Sequence, residues 1–147
     1  MPGRSSPRTA TIFLGGATGL AGTAGLVLTT RPEAETFVGS SFQFRLPDWS
    51  PARVGAFLSR TLARGVELKW FGATDPVAFT SRYQHWAYAQ PQSLPKTDAI
   101  LAGLIDMRVP LTFSLEDCDQ IARIIRAEAL AVGQGPEPEA VDLPLVQ

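Results

Sequence analysis

The chain has 147 residues, of which 45% are hydrophobic and 18% charged, with a net charge of −1 and a pI near 5.8. This is enough apolar material for one packed domain plus tails, and too much for a wholly disordered chain. With no basic excess to neutralise phosphates, nucleic-acid binding has no electrostatic support.

Taken in chain order, residues 1–24 read as a flexible, Gly/Ala-rich leader. Arg4 and Arg8 precede an uncharged run from Thr9 to Thr30 that has the outline of a signal peptide or anchor. Its many glycines and threonines leave it too weakly apolar to be read as a membrane span, and no membrane association is expected. Gly25 to Thr30 is a short apolar run read as a strand. In Phe37 to Leu46, Phe42, Phe44 and Leu46 alternate with Gln43 and Arg45, the period of a half-buried strand. Ser50 is a good N-cap, with Pro51 at the first helical position. Val54, Phe57, Leu58 and Leu62 then form a helical stripe that Gly65 stops. Val66 to Phe71 reads as a third strand, and Gly72 to Leu94 as a long irregular loop holding Phe79, Tyr83, Trp86 and Tyr88. Such loops inside compact domains are often functional.

Pro95 to Leu104 is predicted to be a short helix with Ile100, Leu101 and Leu104 on its apolar side. Ile105, Met107, Val109, Leu111 and Phe113 alternate with polar residues in a further strand, which Pro110 splits or confines to an edge. Ser114 and Asp117 form a capping box for a last helix whose buried face is Cys118, Ile121, Ala122, Ile125 and Ala129. Residues 133–147 read as a flexible, Pro-rich tail, which leaves residues 25–132 as the folded domain. The predicted class is α+β, with a small, mostly antiparallel sheet and amphipathic helices packed on one face.

The chemistry-bearing residues are few. Cys118 is the single cysteine and His85 the single histidine, so an intramolecular disulfide is excluded and a structural zinc site has too few ligands. Cys118 reads as a small core residue, and sparing cysteine use fits the cytoplasm. Arg82, Tyr83 and His85 are the candidate substrate-binding residues: a guanidinium can grip a carboxylate or phosphate with two parallel hydrogen bonds, and Tyr and His can donate to the same anion. Lys69 and Lys96, the only lysines, read as solvated rather than as imine-forming groups. Ser40, Ser41 and Ser114 lack a companion acid/base set. No catalytic, cofactor-binding or metal-binding residue is therefore assigned. The turn Gly16-Ala17-Thr18-Gly19-Leu20-Ala21-Gly22 is similar to the glycine-rich phosphate turn of dinucleotide folds, but the helix after it is cut short by Arg31 and Pro32 and no acidic partner follows a second strand.

Four segments carry a family resemblance: Phe37-Val38-Gly39-Ser40-Ser41-Phe42-Gln43-Phe44, Arg64-Gly65-Val66-Glu67, Leu94-Pro95-Lys96-Thr97-Asp98, and Val109-Pro110-Leu111-Thr112-Phe113-Ser114-Leu115-Glu116-Asp117. In this order, from about Leu26 to Ala131, the chain resembles the C-terminal small domain of the DegT/DnrJ/EryC1/StrS aminotransferase family. The resemblance implies the small domain of a fold-type I pyridoxal-phosphate enzyme, transferring amino groups to a carbonyl or keto-sugar substrate. It also implies that the cofactor lysine belongs to a large domain not represented here, so pyridoxal phosphate is the family's cofactor while none is expected on this chain. The chain is then expected to be inactive unless completed by a large-domain partner, or to form a homo-oligomer. Two alternatives are a non-catalytic interaction module that docks through the aromatic loop or a sheet edge, and a dinucleotide-binding oxidoreductase fragment built on the Gly16–Gly22 turn.

Overall fold

The structure is a computed structural model that describes residues 11–12, 19–23, 25–30, 34, 39–76 and 82–139. The elements are β1 (Val27–Leu28), β2 (Ser41–Arg45), α1 (Pro51–Ala63), β3 (Lys69–Trp70), a 3₁₀ turn (Tyr83–His85), α2 (Pro95–Leu101), β4 (Leu104–Arg108) and α3 (Leu115–Gln134). The four strands form one antiparallel sheet in the order β1-β2-β4-β3. Because β4 lies antiparallel between β2 and β3, those two strands run parallel to each other and are joined through α1. The unit is a split β-α-β. The α+β class expected from the sequence is the class observed.

Register sorts the side chains. Phe42 faces Met107 and Phe44 faces Ile105 across β2 and β4, and Trp70 pairs with Ile105 from the other side. This face is the core. Phe42 and Phe44 stack at 5.9 Å, and Phe44 meets Phe57 of α1 edge-on at 6.4 Å. Cys118, Ile121, Ala122, Ile125 and Ala129 of α3 complete the same cluster. The opposite face carries Gln43, Asp106 and Lys69 in one cross-strand row.

Local chemistry sets the element ends. Ser50 Oγ accepts from Arg53 N at 3.1 Å, with Pro51 as the first helical residue. Helix α1 closes in a Schellman turn: Gly65 N donates to Leu62 O, Val66 N donates to Thr61 O, and Gly65 takes φ +83°, a conformation open to glycine. Ser114 and Asp117 form the expected capping box at α3.

Several expectations are corrected. Leu62 is exposed, and Thr61 is buried in its place, its hydroxyl donating to Leu58 O at 3.0 Å. The predicted helix to Leu104 ends at Leu101, and Leu104 opens β4. That helix buries no residue, and α1 and α3 pack on the core face. Strand β4 stops at Arg108 rather than Phe113, because Pro110 cannot donate to a ladder and the chain turns from Pro110 to Phe113. Within the Val66–Phe71 stretch the strand proper is Lys69 and Trp70, with Phe71 N donating to Leu104 O at 3.1 Å, although Val66 and Leu68 are buried. The core also begins before residue 25: Ile12 and Leu20 are fully buried, and Arg126 of α3 donates to Gly19 O at 3.1 Å. At the other end α3 runs to Gln134, beyond the predicted boundary at 133, and Glu137 pairs with Arg53 at 3.2 Å and accepts from Ser50 Oγ. Phe37, Val38 and Phe79 lie outside the described residues. Among the described residues no helix is long and apolar enough to cross a membrane.

Helices α1 and α3 are tied by Glu128, whose side chain is 9% exposed. Arg60 Nε lies 2.5 Å and Arg64 NH1 2.8 Å from its oxygens. Burial pushes the Glu128 carboxyl up, but the hydrogen bonds from Arg64 and Arg60 outweigh it and hold the pKa below its ordinary value. A lowered folded-state pKa means that the stabilisation is present above the ordinary glutamate range and is lost as pH falls through the lowered value. Glu128→Gln is expected to cost about 1–3 kcal/mol at neutral pH. Urea unfolding at a series of pH values checks this: the gap to the parent protein narrows in acid.

Candidate functional site

The long loop returns to the body of the domain at the 3₁₀ turn, and there it meets α2. Asp98, in the first turn of α2, is the meeting point. Gln84 Nε2 donates to its Oδ1 at 2.9 Å, Arg82 NH2 to the same oxygen at 3.2 Å, and Tyr83 Oη to its Oδ2 at 3.0 Å. Tyr83 Oη also accepts from Leu94 N at 3.0 Å, so both of its hydrogen-bonding roles are filled. The bond from Gln84 is the largest influence on the Asp98 carboxyl; burial opposes it, and the bonds from Tyr83 and Arg82 join it to hold the pKa below the ordinary value. Arg82 and Asp98 are 25% and 32% exposed, so this knot is partly screened by water.

The structure thus brings two of the three predicted residues together. Arg82 and Tyr83 converge on Asp98, whereas His85 is exposed and its Nδ1 accepts from the backbone N–H of Arg82 at 3.3 Å. The guanidinium already has an internal carboxylate, so an external anion would have to compete with Asp98 for it. Arg82 Nε is buried without a hydrogen-bond partner among the described residues. Beyond the turn, Trp86 and Tyr88 stack at 5.6 Å and 14°, with Tyr88 83% exposed.

Residues next to Asp98 on α2 wall a second feature. A cleft of about 170 Å³ lies between Ala99, Ile100 and Gly103 on one side and Arg45, Asp48 and Trp49 on the other. It is smaller than the roughly 300 Å³ at which sites for drug-sized ligands begin. Asp48 has φ +63°, a left-handed conformation that aspartate tolerates better than most residues. Neither Asp98 nor Gln84 stands out in the sequence as a site residue, and nor does any residue of this cleft. The one signal is the proline–acid spacing of Pro95 and Asp98, which reads as a helix start.

The described residues do not fit pyridoxal phosphate. Lys96 is exposed at the start of α2, and Lys69 lies on β3 with its Nζ 3.9 Å from Glu67. Neither lines the cleft. Among the described residues no group of three or more His, Cys, Asp or Glu side chains could hold a metal ion. No known protein family matches the chain, and no curated protein or solved structure matches it either.

Tyr83→Phe removes one donor to Asp98 and the acceptor for Leu94 N, and is expected to cost about 1 kcal/mol, measured by urea unfolding. Asp98→Ala is expected to release the loop, seen as faster amide hydrogen exchange from Tyr83 to Leu94 with α1 and α3 unchanged. In the parent protein the same release follows as pH falls through the lowered Asp98 pKa.

Proposed function

We propose that the chain is a small-domain module of a DegT/DnrJ/EryC1/StrS-type aminotransferase, acting in the cytoplasm with a second polypeptide that supplies the cofactor lysine. One observation carries this reading. The described parts of the four resembling segments fall at the joints of the fold, where the local chemistry is most demanding. The first enters the central strand β2, and the second is the Schellman turn at Gly65. The third starts α2 with Pro95 and places Asp98, and the fourth ends β4 at Pro110 and caps α3. A shared fold needs these positions more than it needs the exposed helix faces between them.

On this reading the chain performs no amino transfer by itself. Its contribution is to cover and shape a substrate site, with the Asp98 knot fixing the loop at 82–94. Pyridoxal phosphate is then the cofactor of the partner polypeptide alone. The test mixes the full chain with pyridoxal phosphate and then with a lysine-bearing large-domain polypeptide. No imine absorbance is expected from the chain alone, and transaminase activity is expected only from the mixture. Borohydride trapping of an imine on Lys69 or Lys96, located by mass spectrometry, overturns the reading.

The exposed Trp86–Tyr88 pair favours a second reading, a docking module with no link to amino transfer. Stacked aromatics at a surface are common anchors of protein contacts. If docking is the whole function, replacing both rings by serine abolishes association in size-exclusion chromatography while the large-domain mixture stays inactive.

A further inference from the structure

The start of α1 and the end of α3 share a feature that neither reading uses. A helix gathers positive charge at its N-terminus and negative charge at its C-terminus, so acids favour its first turn and bases its last. Helix α1 has no acidic residue in its first turn, and α3 has no basic residue in its last. Each missing charge comes from the other element. Glu137, just beyond α3, brings its carboxylate to the start of α1, where it accepts from Ser50 Oγ and pairs with Arg53 at 3.2 Å. Arg53 lies in the first turn of α1, where its own helix disfavours a cation. Its Nη2 donates to the C-cap carbonyl of α3, Gly135 O, at 3.2 Å. The connection is stiff: Pro136 and Pro138 flank Glu137, and Gly135 before them is extended at φ −78° and ψ 169°. The last turn of α3 also abuts Trp49, because a side-chain carbon at Gly133 would come within 3.3 Å of the indole.

We propose that residues 135–139 form an electrostatic strap that caps α1 and α3 reciprocally, holds the last turn of α3 against Trp49, and opens when its charges are screened. Exposure is what makes it able to open. Glu137 is 54% exposed and Arg53 24%, so water and salt reach the pair. The other tie between these helices, from Glu128 to Arg60 and Arg64, has its carboxylate almost enclosed and sits at the far end of α1. Opening the strap therefore frees one end of the helix pair while the other stays fastened. It removes the partners of Ser50 Oγ and Gly135 O and loosens the turn that abuts Trp49. That indole walls the cleft beside α2, so ionic strength sets how firmly this wall is held.

This inference rests on neither proposed role, because it concerns the chain with no cofactor and no partner. The test follows amide hydrogen exchange by NMR on the full ¹⁵N-labelled chain, with the amides of β2 and β4 as the internal reference. Salt is raised from about 10 mM to about 1 M potassium chloride, which shortens the screening length from about 30 Å to about 3 Å. In the parent protein, high salt is expected to speed exchange about two- to five-fold at both helix ends, Arg53 and Val54 on one side and residues 131–135 on the other. The Trp49 indole N–H resonance is expected to shift with them. Glu137→Gln and Arg53→Gln are each expected to produce the same changes at low salt and to leave little further response to salt. The salt series needs no substitution and decides alone if a variant does not fold. Loosening at one helix end only, a Trp49 resonance that does not move, or a full salt response that persists in Glu137→Gln overturns the inference.

Discussion

The packing of Phe42 and Phe44 against Phe57 is the contact on which the rest of the domain depends. Both strand residues are completely buried, and so is Phe57. Once they face the helices, the two-residue period of a strand forces Ser41, Gln43 and Arg45 to the other side. A one-residue slip of β2 against β4 would turn that arrangement over and bury Arg45. The position of Arg45 at the cleft and that of Gln43 beside Asp106 are thus consequences of how the core is filled. Helix α3 adds its small face of Cys118, Ala122 and Ala129 to the same cluster, which lets it lie close over the sheet.

Two of the arginine–carboxylate ties in the domain have different results. Glu128 is nearly enclosed and takes two guanidinium groups from one neighbouring helix and its cap, so it fastens α1 to α3. Asp98 is one-third exposed and takes three different side chains from consecutive residues, so it fastens a loop end to a short helix that buries nothing. The first tie belongs to the body of the domain. The second belongs to its margin, where local opening needs the least free energy. The exposed aromatic pair and the small cleft both adjoin that margin.

How much of this is legible in the sequence follows from the distance over which each feature is decided. Alternation at Phe42 and Phe44, the Ser50–Pro51 start, the Gly65 stop, and the Ser114–Asp117 cap are all set within a few residues, and all read correctly. The stop at Pro110 is half legible, since proline marks a break but does not say on which side the strand survives. What cannot be read is decided from far away. The insertion of β4 between β2 and β3 depends on pairing residues some sixty positions apart. Glu128 finds Arg64 across 64 residues, and Asp98 finds Arg82 across 16. Ile12 and Leu20 look too isolated among glycines and threonines to belong to a core, and only their tertiary neighbours bury them. For the site, Arg82 and Tyr83 are visible as residues with chemistry to offer, but the carboxylate that occupies them is not.

Trp49 gives the domain a seam. Its ring meets Phe57 edge-on at 5.8 Å. A side-chain carbon at Gly25 would lie 3.0 Å from its Nε1, and one at Gly133 3.3 Å from its Cζ2. The turn ahead of β1 and the last turn of α3 therefore both come up against a single indole, although more than a hundred residues separate them. Mechanically this makes the domain a loop rather than a line: loosening at either side frees the ring that holds the other. The indole also borders the cleft. Movement of that wall would therefore be felt at Gly25 and at Gly133 alike.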